Sequence, residues 1–250
     1  MTIREVLSYA IWHWGRLAGD GFSYMISVVI PAFNEQGYIV RCLESLKNQD
    51  YAGDFEVIVV DSQCTDGTVS IARKMGARVI SQGERGIARA RQCGFVAARG
   101  EIIASTDADT LLPEDWLSRI DCLFAREPQA VAVAGHFLLS DGPLPVRFWL
   151  KVSLLLMPFI TWLIPGLWNF SGTNFAVRAS VFNRLGGFNT ELEFGEDVDL
   201  CRRLRQEGKV VFEPGLLVRT SGRSFRGDWL GFKHLFGYLG ISVLRKNKAS

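Results

Sequence analysis

Short runs of apolar, largely β-branched residues recur along the chain from Met25 onward, and segments with helical periodicity separate them. The predicted strands are Ile26 to Ala32, Phe55 to Val60, Ala77 to Ser81, Glu101 to Thr106 and Ala130 to Phe137. Strands that alternate with helices in this way are typical of parallel strands joined by crossover helices. The pattern therefore predicts an α/β fold with a mostly parallel central sheet and flanking helices.

The segments between these strands carry apolar stripes that suit helices packed on such a sheet. One stripe consists of Ile39, Val40, Leu43 and Leu46, and a second of Trp116, Leu117, Ile120, Leu123 and Phe124. Pro113 and two acids precede the second stripe and suit a helix N-terminus. Gly76 and Gly100 are interpreted as helix ends.

Carboxylates follow three of the predicted strands, at the point where each strand ends. Glu35, Asp61 and the pair Asp107 and Asp109 occupy these positions. In an open parallel sheet the ligand crevice lies beyond the carboxyl ends of the strands. We therefore expect these acids to line a ligand site.

The segment Ser105 to Asp109 places two carboxylates at i and i+2 after a buried strand, so that both project to the same side. Such a pair can share one Mg²⁺ or Mn²⁺ ion, which prefers oxygen ligands and retains positions for diphosphate oxygens. Taken alone, an Asp-x-Asp is about as often a turn in which an aspartate bonds its own backbone. Its position beside other acids favours a metal site at Asp107 and Asp109.

The loop from Asp61 to Thr68 holds two further acids with different expected roles. Asp66 precedes a helix that begins near Gly67, and a capping role is favoured for it. Asp61 lies directly at the strand end, where it has no helix to cap. We assign Asp61 to nucleotide contact.

Length and charge limit the function classes. A chain of 250 residues suits one α/β catalytic unit. Lys and Arg total 28 against 26 for Asp and Glu, so no overall field favours nucleic acid. The five cysteines form neither a CxxC pair nor a Cys/His cluster, which favours a reducing, cytoplasmic compartment without structural zinc.

Two amphipathic ends flank the expected catalytic domain, residues 25–228. Residues 1–24 carry apolar positions at helical spacing, and residues 229–250 form an amphipathic segment with basic residues at its end. Either end suits packing on the domain or contact with an anionic membrane face. We expect peripheral attachment to the inner face of the cell membrane.

The apolar stretch at 148–170 is marginally long enough to span a bilayer. A single crossing there would separate Asp109 from Glu196, so the segment cannot span if both serve one site. We interpret it as buried or interfacial helices near the acceptor side, where an apolar surface would suit a lipid-linked acceptor. Ordinary hydrophobic packing is an equally weighted alternative.

Several motifs, in order and spacing, resemble the inverting GT-A glycosyltransferases of glycosyltransferase family 2. The matching stretches are Val28 to Glu35, Val59 to Thr68, Gly86 to Gly94, Ala98 to Asp109, Gly172 to Arg178, Gly186 to Phe188 and Gly195 to Leu200. They extend over roughly Met25 to Glu213. The resemblance implies a GT-A fold and transfer of a sugar from a nucleoside diphosphate to an acceptor hydroxyl with inversion.

The resemblance also implies roles for individual residues. Glu35 and Asp61 would hold the nucleoside, and Pro31 and Ala32 would line the base pocket. Arg91 would support the nucleotide site, although Gln92 replaces the usual Asn of the family.

On the metal side, Asp107 would face the ribose or sugar, and Asp109 would bind the Mn²⁺ or Mg²⁺ ion. Gly172 would begin the loop beside the donor sugar and the acceptor.

The pair Glu196 and Asp197 matches the catalytic acid motif of the family, in which the aspartate usually acts as general base. An inverting displacement needs one carboxylate opposite the leaving group and no covalent nucleophile. Asp197 is the first choice and Glu196 the second. Without the resemblance, these acids would be read as ordinary acids at a helix start.

The chain departs from the family after the last core strand. Where a His often completes the metal site, this chain has Arg219, Ser221, Gly222, Arg223 and Arg226. An arginine there, Arg223 in particular, can hold a diphosphate through bidentate bonds or can be merely solvated. The Gln-x-x-Arg-Trp signature of processive synthases is missing, which favours transfer of a single sugar.

Two other classes of function compete with this interpretation. A nucleotidyltransferase would normally carry a glycine-rich loop after the first strand, where this chain reads Pro-Ala-Phe-Asn-Glu. A noncatalytic nucleotide-sugar-binding membrane module is the second. A UDP-sugar is the expected donor and GDP-mannose the next, while the sequence leaves the acceptor and the oligomeric state open.

Overall fold

The computed structural model describes residues 23–148, 150–152, 156 and 170–223. A seven-stranded sheet forms the centre of this part of the chain. Its strands are β1 (Ile26–Ala32), β2 (Phe55–Asp61), β3 (Arg78–Ser81), β4 (Ile102–Ser105), β5 (Ala130–Leu139), β6 (Phe175–Arg178) and β7 (Lys209–Thr220). The helices are α1 (Ile39–Lys47), α2 (Thr68–Lys74), α3 (Ile87–Ala97), α4 (Trp116–Arg126), α5 (Ala179–Arg184) and α6 (Glu196–Glu207).

The strands lie in the order β3-β2-β1-β4-β6-β5-β7. The first four of this order are parallel to one another, with Ile26 of β1 opposite Phe55 of β2 and Ile102 of β4. β6 is antiparallel to both of its neighbours, whereas β5 and β7 are parallel. The carboxyl ends of β1, β2 and β4 therefore open at one edge of the sheet.

Helices cover both faces because residues of β1 alternate between two separate cores. Val28 and Ile30 face a core that includes α1 and α4, and Val29 faces a core that includes α3, α5 and α6. All seven residues of β1 are buried. A strand buried on both sides favours apolar residues on both faces, which explains why β1 runs almost continuously apolar rather than alternating; its one polar residue, Ser27, donates to Glu56.

The structure confirms the α/β class and the mostly parallel sheet, and each of the five predicted strands is present within one or two residues of its predicted bounds. Both apolar stripes form helices, α1 and α4. The antiparallel β6 was not predicted from the sequence. Phe175–Arg178 carries only four residues, too few to show a period.

The flanking segments 1–24 and 229–250 lie outside the described residues, apart from Ser23 and Tyr24, as does most of 148–170. The domain boundaries therefore stay predictions. Among the residues that the structure describes, no helix is long and apolar enough to cross a bilayer.

Candidate functional site

Acids and arginines from five elements, α3 with Arg91 among them, meet at the carboxyl edge of the sheet. Asp107 and Asp109 follow β4, Glu35 follows β1, Arg223 follows β7, and α6 begins at Glu196. Hydrogen bonds and ion pairs connect them. The strand order explains the meeting, because β1 and β4 are adjacent and parallel.

Arg91 of α3 is the buried centre of one half of this site. Its Nη2 lies 2.8 Å from Asp107 Oδ1, and its Nη1 pairs with Glu196 Oε1. Burial alone would lower the pKa of Arg91, but Asp107 and Glu196 raise it above the ordinary value. The guanidinium therefore stays charged, as a buried cation between two acids must.

The second oxygen of Asp107 accepts a hydrogen bond of 2.6 Å from the hydroxyl of Thr173. Both carboxylate oxygens of Asp107 are thus held, one by a cation and one by a hydroxyl. The loop that supplies Thr173 is itself anchored to β4, because Ser105 donates a 2.7 Å bond to the carbonyl of Gly172. Asp107 is consequently a fixed group with a defined orientation.

Glu196 and Asp197 are neighbours in the chain but lie in different environments. Glu196 is 3% exposed and is engaged by Arg91. Asp197 is half-buried and accepts a 2.7 Å bond at Oδ2 from the backbone N–H of Gly172. Its Oδ1 accepts a 2.8 Å bond from Val198 N–H. Asp197 is thus oriented by amides, whereas Glu196 is neutralised by a guanidinium.

Asp109 forms the other half of the site with Glu35 and Arg223. Its Oδ1 accepts a 3.0 Å bond from Thr220, and its Oδ2 lies 3.1 Å from Arg223 Nη2. The same Nη2 pairs with Glu35 Oε1. Burial and the nearby charge of Asp107 raise the pKa of Asp109 to about 6, against the opposing effect of Arg223.

A divalent cation is expected at Asp107 and Asp109, and the site carries the negative charge that such an ion requires. Glu35 Oε2 is buried without a hydrogen-bond partner in the described structure, and burial together with the charge of Asp107 raises the pKa of Asp109. Within the described ranges, however, no three His, Cys, Asp or Glu side chains group as metal ligands. The residues therefore fit a cation that is held by the two aspartates and completed by ligand oxygens.

Asp61 lies at the end of β2, opposite Ala32 in the register of the sheet. No helix cap was expected for Asp61, but it does make a local bond. Its Oδ1 accepts a 2.7 Å bond from Cys64 N–H, because an aspartate can bond the backbone of the turn that follows it. No contact in the described structure links Asp61 directly to Asp109 or Asp197, so its nucleotide role stays a prediction.

Asp66 was expected to cap α2, but the N-cap residue is Gly67, and Asp66 bonds the first residue of the helix from the position before it. It accepts bonds from Thr68 N–H at 3.0 Å and from Gln36 N–H at 3.1 Å. The Thr68 hydroxyl also donates to Asp66 and has the largest effect on its pKa. Together with the two amides it lowers the pKa of Asp66. Asp66 therefore connects the β1 and β2 loops and is not needed to explain ligand binding.

Pro31 and Ala32 are buried within β1, so their side chains face the protein interior. The next residue, Phe33, was not assigned from the sequence, yet it is 40% exposed and Arg85 lies 4.2 Å above its ring centroid. An exposed ring at this strand end offers a surface on which a base can stack. The sequence feature that could have identified Phe33 is its position in Pro-Ala-Phe-Asn-Glu, between an apolar strand and a polar loop.

Comparisons with known proteins identify the family of this chain. The family model described as glycosyl transferase family 2 matches residues 27–186. Glycosyltransferase GlyG of Streptococcus pneumoniae is 25% identical over 76% of this chain and 68% of its own length. The beta-monoglucosyldiacylglycerol synthase of Nostoc sp. is 28% identical over 72% of this chain and 41% of its own length.

Among solved structures, the mannosyltransferase PcManGT from Pyrobaculum calidifontis, in complex with GDP-Man and Mn²⁺, superposes with a TM-score of 0.64. It is 26% identical, and the match covers 86% of this chain and 64% of that chain. The fold is accordingly GT-A. This chain spans less than two thirds of PcManGT and less than half of the synthase.

Replacing Gly172 by Ala tests whether the two ion pairs of Arg91 depend on the absence of a side chain at Gly172. An added Cβ would lie 2.2 Å from Arg91 Cζ. The guanidinium must then move, which weakens its bonds to Asp107 and Glu196. We expect Gly172→Ala to lower the free energy of unfolding by about 3 kcal/mol, the scale of a broken buried ion pair.

Gly37→Ala is the matched control, because a Cβ at Gly37 meets nothing within 4 Å. Urea denaturation of both variants measures the difference. Equal stability of the two would show that the guanidinium does not require the space above Gly172.

Proposed function

We propose that this chain, which belongs to glycosyl transferase family 2, transfers one sugar from a nucleoside diphosphate sugar to an acceptor hydroxyl, with inversion at the anomeric carbon. The acceptor oxygen forms a bond to that carbon, the bond to the diphosphate oxygen breaks, and the nucleoside diphosphate departs. One carboxylate must accept the proton of the acceptor hydroxyl.

The contrast between Asp197 and Glu196 carries this proposal. A general base needs a carboxylate that is oriented and still able to accept a proton. Asp197 has two backbone amides to orient it and a partly exposed side chain. Glu196 is buried in an ion pair with Arg91, which blocks its access to an acceptor. Burial raises the pKa of Glu196, against the opposing effect of Arg91. We assign the base to Asp197 and a positioning role to Glu196.

The donor would occupy the edge of the sheet from Asp61 to Asp109. Phe33 and Asp61 are placed for the nucleoside, and Asp107 is held by Arg91 and Thr173 at the sugar end. Asp107 and Asp109 would hold the divalent cation, whose charge balances the departing diphosphate. Arg223 supplies a further positive charge beside Asp109.

The choice of donor is supported by the family and by one structural relative. UDP-sugars are our first candidates and GDP-mannose the second. PcManGT, at 26% identity, is in complex with GDP-Man and Mn²⁺, which favours testing GDP-mannose with equal care.

An exposed apolar surface beside the site supports a lipid-linked acceptor and peripheral contact with the cytoplasmic face of the cell membrane. Leu144 and Phe148, one helical turn apart, are 75% and 63% exposed, and Leu156 is 48% exposed. Arg147 and Lys151 accompany them. An apolar face with basic neighbours fits an anionic lipid surface. The name of the Nostoc synthase, a relative at 28% identity, refers to a glucosylated diacylglycerol.

Asp197→Asn tests the assignment of the base. Asparagine keeps the shape and can still accept from Gly172 N–H, but it cannot take a proton. We expect transfer to fall by about a hundredfold or more, while donor affinity changes little. Single-turnover transfer and donor titration measure the two quantities separately.

Asp199→Asn is the control, since Asp199 lies in the same helical turn and pairs with Arg203 at 2.9 Å instead. A fully active Asp197→Asn protein would move the base elsewhere, first to Glu196.

A panel of nucleotide sugars, with Mn²⁺ or with EDTA, tests the donor and the metal. Two aspartates, with no third protein ligand grouped beside them among the described residues, should bind Mn²⁺ weakly alone and more tightly together with a diphosphate. We expect mutual strengthening of Mn²⁺ and donor binding in calorimetry, and release of nucleoside diphosphate. Release of pyrophosphate would indicate a nucleotidyltransferase, and donor binding without turnover would indicate a binding module.

The membrane contact is tested by sedimentation with vesicles that contain anionic lipid. The double variant Leu144→Glu/Phe148→Glu adds charge to the apolar surface, so we expect its vesicle affinity to fall by about tenfold or more. Val96→Glu, at a 64% exposed site on α3, is the control. Equal binding by all three proteins would place the contact elsewhere.

A further inference from the structure

Arg223 occupies an unusual position, because a single nitrogen of its guanidinium forms ion pairs with two carboxylates from different strand ends. Its Nη2 pairs with Glu35 Oε1 from the β1–α1 loop and with Asp109 Oδ2 after β4. The guanidinium also lies 4.5 Å from the ring centroid of Tyr38. Two segments of the chain, the β1–α1 loop and the turn after β4, thus converge on one side chain.

The turn that carries Arg223 is itself anchored. Ser221 donates a 3.1 Å bond to Asp141 Oδ1, and Gly222 N–H donates to the same oxygen. Arg223 N–H in turn donates to Ser221 Oγ at 3.3 Å. The backbone of Arg223 is therefore fixed beside Asp109, while its long side chain can pivot.

The charges around Arg223 remain unbalanced. One guanidinium faces two carboxylates, and Glu35 Oε2 is buried without a partner in the described structure. The side chain of Arg223 is 31% exposed, whereas those of Glu35 and Asp109 are 12% and 10% exposed. The acids are thus buried more deeply than the cation that neutralises them, and a divalent ion would balance them more completely.

A divalent ion at Asp109 Oδ2 would compete with this guanidinium. Mg²⁺ binds a carboxylate oxygen at about 2.1 Å, and Arg223 Nη2 lies 3.1 Å from the same oxygen. Two positive centres this close would repel each other in a half-buried site. Each therefore weakens the binding of the other to Asp109.

We propose that Arg223 is an internal counter-ion that competes with the divalent cation for Asp109 and Glu35 and is displaced when the cation arrives with the nucleoside diphosphate. This inference rests on the proposed function. In the ligand-free protein Arg223 neutralises part of the charge of these acids and opposes binding of free metal. On displacement, the same guanidinium is close enough to pair with diphosphate oxygens.

Binding of Mn²⁺ alone, followed by electron paramagnetic resonance of the full chain without nucleotide, tests this competition. In Arg223→Gln the competing charge is gone, so we expect Mn²⁺ affinity to rise by about tenfold, within the usual range of coupling between sites. Arg223→Lys keeps the charge and should stay near the wild-type affinity. Addition of Asp109→Asn to Arg223→Gln should remove the gain.

Tyr38→Leu provides a second variant that leaves every charge of the site in place. Loss of the ring beneath the guanidinium should loosen Arg223 and raise the affinity for free Mn²⁺ by about threefold, the value of an exposed cation–π contact. This variant leaves no acid unpaired, so it addresses the case in which Arg223→Gln fails to fold.

A folded Arg223→Gln protein that binds free Mn²⁺ no more tightly than the wild type would overturn the competition, as would an unchanged Tyr38→Leu. Transfer from a donor sugar is measured on the wild type alone. A wild type that transfers sugar while the variants show no gain refutes only the role of Arg223, and a gain in Mn²⁺ affinity without any transfer refutes only the proposed reaction.

Discussion

The site depends on one buried cation, Arg91, which lies between Asp107 and Glu196. Removing a guanidinium from water is costly, and only acids on both sides offset that cost. Those acids belong to the end of β4 and the start of α6, so their pairing with α3 brings three distant parts of the chain together. Gly172 has room for the guanidinium only because it lacks a side chain. The position of the Gly172 loop, whose amide bonds Asp197, therefore depends on the ion pairs of Arg91.

The crevice contains two arginines that pair with acids, Arg91 and Arg223, and they differ in how deeply they are buried. Arg91 is 6% exposed at its side chain and is held on both sides, so it is a fixed support. Arg223 is 31% exposed and bonds two acids through one nitrogen. A support should be rigid because it positions Asp107, whereas a group that is exchanged for a ligand must be able to leave. The difference in burial matches these two needs.

The strands and the strand-end acids were predictable because both obey local rules. Apolar runs predict buried strands, and parallel strands bring Glu35 and Asp109 to one edge. The partners of these acids were not predictable, because Arg91 and Glu196 are 105 residues apart and nothing local pairs them. The insertion of β6 between β4 and β5 was missed for the same reason. The turn bond of Asp61 was not predicted either, although it is local and joins residues only three positions apart.

Adjacent acids acquire different chemistry from the geometry of the helix that carries them. Successive residues on a helix point about 100° apart, so one of two neighbours can face the core while the next faces the crevice. At the start of α6, Glu196 faces inward to Arg91, and Asp197 faces the amide of Gly172. Exchange of these two residues would bury the shorter acid away from Arg91 and place the longer one against Gly172. The order Glu-Asp is therefore a structural requirement of the buried pair as well as of the proposed base.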